Sequence, residues 1–146
     1  MNIEQPNIYL VISSSLFIIP SILAAYHKLW LEYSACILIT LISSLHHSIR
    51  SIYTYILDQF ACYYLGAVFY IICKKLNILY IWFFGIGYSI TVYNIGKLFN
   101  IMAWDTNFYI STVWHISMHL VILFTIIFVI IVSSNADIKY SVLNIW

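Results

Sequence analysis

Five polar side chains in this 146-residue chain stand among Ile, Leu, Phe, Tyr and Val at spacings that suit one metal centre. They are Ser43, His47, Asp58, His115 and His119. The pattern runs Ser-x3-His, then an Asp eleven residues on, then a distant His-x3-His. Ionisable groups inside a hydrophobic span cost roughly 2.5–3.5 kcal/mol each on insertion scales, and those that persist pair with one another, line a cavity or bind something. His115 and His119, at i and i+4, stack on one helix face, which lets a single helix offer two imidazoles to one ion. A third imidazole completes a three-histidine zinc site whose fourth position takes water. His47 is the natural third ligand; His46 is its rival, adjacent but turned about 100° around the helix. Asp58 then reads as a base that orients or deprotonates the water, against the plainer reading of an interfacial carboxylate or a partner for Arg50.

The elements that must position these residues are membrane helices. Hydrophobic residues make up 64% of the chain and charged residues 8%, with mean hydropathy +0.97, whereas soluble domains carry about 25% charge. A net charge of +1 implies no nucleic-acid surface. Cys36, Cys62 and Cys73 fall within apolar stretches and read as small buried hydrophobes, not as a zinc ribbon or a disulfide framework. The stretch Met1 to Asn7 holds Glu4 and no basic residue, so the first apolar segment reads as a retained span rather than a signal peptide.

A span needs about 20 mostly apolar residues. Five stretches qualify, at about 8–26, 29–49, 56–73, 77–94 and 108–132, giving an all-α, polytopic membrane helix bundle as a single domain over 1–146. Gly85, Gly87 and Gly96 allow close packing or a bend in the fourth span. The segment from Gly96 to Asn107 reads as either an interfacial turn of helix or a loop. Spans alternate in direction, so the end of the second and the starts of the third and fifth lie on one side. That brings His47, Asp58, His115 and His119 to one depth. Arg50 and Lys97 lie on that side and Lys28, Lys74, Lys75 and Lys139 on the other, which favours the other side as cytosolic. In the second span Glu32, Cys36, Thr40, Ser43, His47 and Arg50 form one helical stripe, which should point into the bundle. Ser111 precedes His115 by a turn on the same face, and Ser117 faces elsewhere. Glu32 lies far from the site, to pair with Lys28 or sit in a crevice. Trp30, Tyr53, Trp104 and Tyr109 read as interfacial belt residues.

These motifs carry a resemblance. SSLHHS, ILDQF and TVWHISMHL resemble the signature of the CREST superfamily of membrane hydrolases: Ser-x3-His in the second helix, Asp in the third and His-x3-His in the last. That group includes alkaline ceramidases, adiponectin and progestin receptors, and a branch with a GPI-processing phospholipase and myomaker, which the wording here is most like. The resemblance covers about Glu32 to Leu123. It implies zinc held by His47, His115 and His119, with Asp58 and Ser43 catalytic, and hydrolysis of an amide or ester bond in a membrane lipid, ceramide-like or a phospholipid or GPI acyl chain. Two departures stand out. The family has seven spans, and the 56 residues between Asp58 and His115 hold only one further span; the N-terminal acidic and Trp-Asn-Thr elements of ceramidases have no counterpart. Two other readings of the same residues are a bis-histidine haem-binding electron-transfer subunit, and a non-catalytic membrane protein, structural, fusogenic or a small complex subunit, whose metal site is vestigial or serves folding.

Overall fold

The structure, a computed structural model, describes residues 6–136. Glu4 and Lys139, used above for the N-terminal and charge-side readings, lie outside the described residues. Among the described residues every regular element is helical. Helices α1 (Ile8–Ser15) and α2 (Ile18–Tyr26) form one interrupted rod, followed by α3 (Trp30–Ile49) and α4 (Ile52–Lys75). Then α5 (Leu79–Ile90) runs through a π turn (Thr91–Ile95) into α6 (Gly96–Phe99). A short 3-10 turn (Met102–Trp104) leads to the long α7 (Phe108–Asn135). The helical membrane bundle expected from composition is therefore the observed fold, with five rods at the five expected places.

Three of the rods, Ile8–Tyr26, Ile52–Lys75 and Phe108–Asn135, are long and apolar enough to cross a membrane by themselves. The two others fall short for different reasons. Helix α3 has the length, 20 residues or about 30 Å at ~1.5 Å per residue, but carries the polar stripe. The stripe turns inward as expected: Glu32, Cys36, Thr40, Ser43 and His47 are all buried. Helix α5 is only 12 residues long before its hydrogen-bond register shifts. Tight left-handed residues, Lys28 before α3 and Arg50 after it, reverse the chain at each end of α3. That sets α3 antiparallel to both α2 and α4, so it traverses the same slab as its neighbours. Outside the bundle the pattern is the reverse of a soluble protein, with Ile22, Leu41, Phe60, Phe84 and Phe124 all more than 60% exposed, as lipid contact requires.

The break in the first rod was not expected. Pro20 lacks an amide proton, and its ring crowds the carbonyl four residues back, that of Leu16. The chain tightens there, with Phe17 N–H bonding Ser14 C=O at 3.2 Å and Ile19 N–H bonding Leu16 C=O at 3.0 Å. The third and fifth rods extend beyond their expected limits, and α5 is shorter than expected; α4 begins at Ile52, four residues early, because Ser51 and Thr54 form a reciprocal capping box. The ambiguous segment after Gly96 folds as the α6 turn, a left-handed Asn100 and the 3-10 turn, with Lys97 placed 5.1 Å from the Trp104 ring centroid. Trp30, Tyr53 and Tyr109 are well exposed near helix ends, as belt residues would be.

The glycines divide. A Cβ at Gly96 would stand 2.7 Å from the Ile101 carbonyl oxygen, and one at Gly85 2.9 Å from Thr125 Oγ1, so both mark close approaches. Gly87 meets nothing within 4 Å, so the expectation of close packing fails there. Gly96→Ala should destabilise by about 1–3 kcal/mol through overpacking. Gly87→Ala should be neutral or stabilise by roughly 0.5–1 kcal/mol through helix propensity. Thermal melts of the two variants in one detergent check this; a Gly96→Ala protein melting at or above wild type would remove the close-approach argument.

Candidate metal centre

Four helices deliver polar groups to one end of the bundle. Helix α3 brings Ser43 and His47 from its last turns, α4 brings Asp58 from its second turn, and α7 brings His115 and His119 from its second and third. The fourth, α1, was read in the sequence only as an apolar span. Helices α1, α4 and α7 all start at this end under side-chain caps, Asn7, Ser51 and Asn107, which satisfy amide protons that the first turn leaves open.

The three expected ligands do meet. One ring nitrogen from each of His47, His115 and His119 lies within 4.8 Å of the other two. The rings stand 5.0 Å (His47–His115), 5.0 Å (His115–His119) and 5.5 Å (His47–His119) apart between centroids. His47 is 3% exposed, and neither of its ring nitrogens has a hydrogen-bond partner. A buried polar atom left this way costs about 1–3 kcal/mol, so an imidazole aimed at two others is better explained as a donor for a cation than as packing. His46 turns away: its Nδ1 lies 3.2 Å from Thr54 Oγ1 and its ring packs on Tyr55. The geometry therefore groups His47, not His46, with the α7 pair.

Asp58 is 8% exposed, so it is not a carboxylate in interfacial water. Ser43 hydrogen-bonds its carboxyl, while Asp58 Oδ1 has no partner. All five residues line one cavity of about 520 Å³, within the roughly 300–1,000 Å³ of small-molecule sites. Beyond the cluster its wall is mostly apolar, with Phe17, Ile39, Leu65, Phe69, Ile122 and Ile126, and carries Ser89, Asn94 and Thr125 as further polar groups. Cys62 also lines it and is exposed, unlike the buried Cys36 and Cys73, so the reading of all three cysteines as core residues fails for Cys62.

Other residues fall outside the cluster. Ser111 donates to the Ala103 carbonyl at 2.9 Å and anchors the 3-10 turn, so sharing a face with His115 did not make it part of the site. Ser117 pairs with Tyr88 at 2.8 Å, on another face as expected. Glu32 is buried at the opposite end of α3, 2% exposed with Oε1 unpartnered.

The sequence reading missed the contribution of α1. Asn7 Nδ2 donates to Thr112 Oγ1 at 2.8 Å, and Asn7 N–H to the His47 carbonyl at 3.3 Å. Ser14 meets Ser43 at 3.1 Å, and Ser13 meets His119 Nδ1 at 2.8 Å. The signal was available: three consecutive serines, Ser13 to Ser15, interrupt an apolar span. Tyr93 was also missed. It projects from the π turn with its ring 6.4 Å from His115 and its hydroxyl 3.4 Å from that of Tyr55; π turns recur at functional sites.

The chain matches no family model, no curated protein and no solved structure. The donor set alone sets the expectation that purified protein holds about one transition-metal ion per chain. His47→Ala and His119→Ala should each abolish that stoichiometry, whereas His46→Ala should leave it intact. Elemental mass spectrometry on detergent-purified variants checks this, and metal loss in His46→Ala alone would overturn the choice of His47.

Proposed function

We propose that this protein is an intramembrane, metal-dependent hydrolase that cleaves an amide or ester bond of a membrane lipid, as a shortened form of the CREST pattern. The observation that carries the reading is the joining of three imidazoles, a buried carboxyl and a serine hydroxyl in one mostly apolar cavity. The unpartnered nitrogens of His47 and the three-histidine donor set fit zinc, which would be held by His47, His115 and His119. When bound, zinc supplies Lewis-acid polarisation of a carbonyl and makes water more acidic.

The chain's own groups do the remaining work. The apolar wall takes an acyl chain and excludes bulk water, so the scissile carbonyl stops at the polar end. Asp58, with Oδ1 open, takes a proton from the attacking water. As the C–N or C–O bond breaks, the same carboxyl returns that proton to the leaving amine or alcohol. Ser43 holds Asp58 in place by donating its one proton to the carboxylate; once Asp58 has taken the water's proton, that hydroxyl is free to donate to the developing oxyanion. Helix starts mark the level of the site, so a lipid entering sideways from the bilayer would present its carbonyl, near its headgroup, at the right depth.

The haem reading is disfavoured by the third imidazole. Two axial ligands need clear opposite faces of a porphyrin, and here a third ring stands within 4.8 Å of both. A non-catalytic role is separated by turnover. Asp58→Asn should keep the metal and lower hydrolysis of fluorescent ceramide or phospholipid in mixed micelles by roughly 10²–10⁴-fold. Metal-loaded wild type that turns over neither class of lipid would sink the hydrolase and leave the structural role.

A further inference from the structure

Ser13 lies on α1, 106 residues from His119, and is 4% exposed. Its hydroxyl makes two contacts: 3.1 Å to the Leu10 carbonyl and 2.8 Å to His119 Nδ1. A hydroxyl has one proton and two lone pairs. A carbonyl only accepts, so the serine proton goes to Leu10. With both contacts kept as hydrogen bonds, the shorter one is Nδ1–H of His119 donating to a serine lone pair. A neutral imidazole protonated at Nδ1 carries its free lone pair at Nε2.

We infer that Ser13 is a positioning residue of the histidine cluster: through His119 Nδ1 it selects the tautomer and ring orientation that present Nε2 to the centre shared with His47 and His115. The inference rests on the metal-site reading above and adds a fourth helix to it. Ser14, the next residue, reaches Ser43 at 3.1 Å, so two adjacent serines brace both the ligand-bearing α7 and the Asp58 partner on α3. Phe17, one turn on, packs edge-on to the His119 ring at 6.1 Å. The proline-induced tightening after Ser15 follows directly, so the serines sit in the last turn of α1 before the chain changes direction.

Two measurements test this. The first is the tautomer of His119, read from nitrogen shifts and two-bond couplings in metal-free protein labelled with ¹⁵N-histidine, in micelles. Wild type should show His119 protonated at Nδ1, and Ser13→Ala should shift it towards Nε2–H. Wild-type His119 found as Nε2–H would overturn the inference, and this readout decides it whether or not metal binds. The second is Zn²⁺ affinity by competition with a chelating dye. Ser13→Ala should bind roughly 10–100-fold more weakly, while Ser15→Ala, on the exposed side of the same turn, should match wild type. Unchanged affinity in Ser13→Ala would overturn the inference and leave the three-histidine site standing. Failure of wild type to bind Zn²⁺ would instead remove the proposed function.

Discussion

A lipid bilayer offers no water to a polar side chain, so each one in a span must find its partner inside the protein. This constraint organises the whole bundle. Helix α3 carries too many polar groups to face lipid, and its stripe is buried within the bundle. It lies against α1 and α2 on one side and α4 on the other. Where partners are available the stripe is satisfied: Thr40 bonds the Cys36 carbonyl at 2.7 Å, and Ser43 reaches both Ser14 and Asp58. Across the described residues, partners are lacking at His47, Asp58 Oδ1, Glu32 Oε1 and Ser133 Oγ, where the protein retains polar atoms at a cost. Two of those four residues, His47 and Asp58, line the same cavity.

Positioning comes from short-range chemistry at the helix ends. The i, i+4 spacing on α7 aims two imidazoles the same way, but their distance from His47 depends on how α3 and α7 are held. Asn7 does this directly, capping α1 while bonding both the His47 carbonyl and Thr112. A single residue, through its backbone N–H and its side chain, thereby couples the start of α1, the end of α3 and the start of α7. The capping box at Ser51 and Thr54 plays a similar part for α4, and Thr54 also engages His46. That contact draws His46 towards the outside of the cluster and leaves the interior to His47.

The cavity follows from the same packing. With α5 interrupted by a π turn and held to α7 at Gly85 and through Tyr88 and Ser117, space remains between α3, α4, α5 and α7 that side chains do not fill. The histidine cluster lines part of that space, and mostly aliphatic and aromatic residues line the rest.

Periodicity and composition were sufficient to read the helical membrane class, the five rods, the inward stripe of α3 and the shared depth of Ser43, His47, Asp58, His115 and His119, because each depends on residues close together in sequence or on the alternation of spans. The kink at Pro20 was equally local and could have been read from the proline. Tertiary structure alone decided the rest. It chose His47 over His46, excluded Ser111, opened Cys62 to the cavity and brought Ser13 against His119, since each of these turns on a few ångströms between helices far apart in the chain. Helix spacing tells which face a residue shares; only packing tells which partner that face meets.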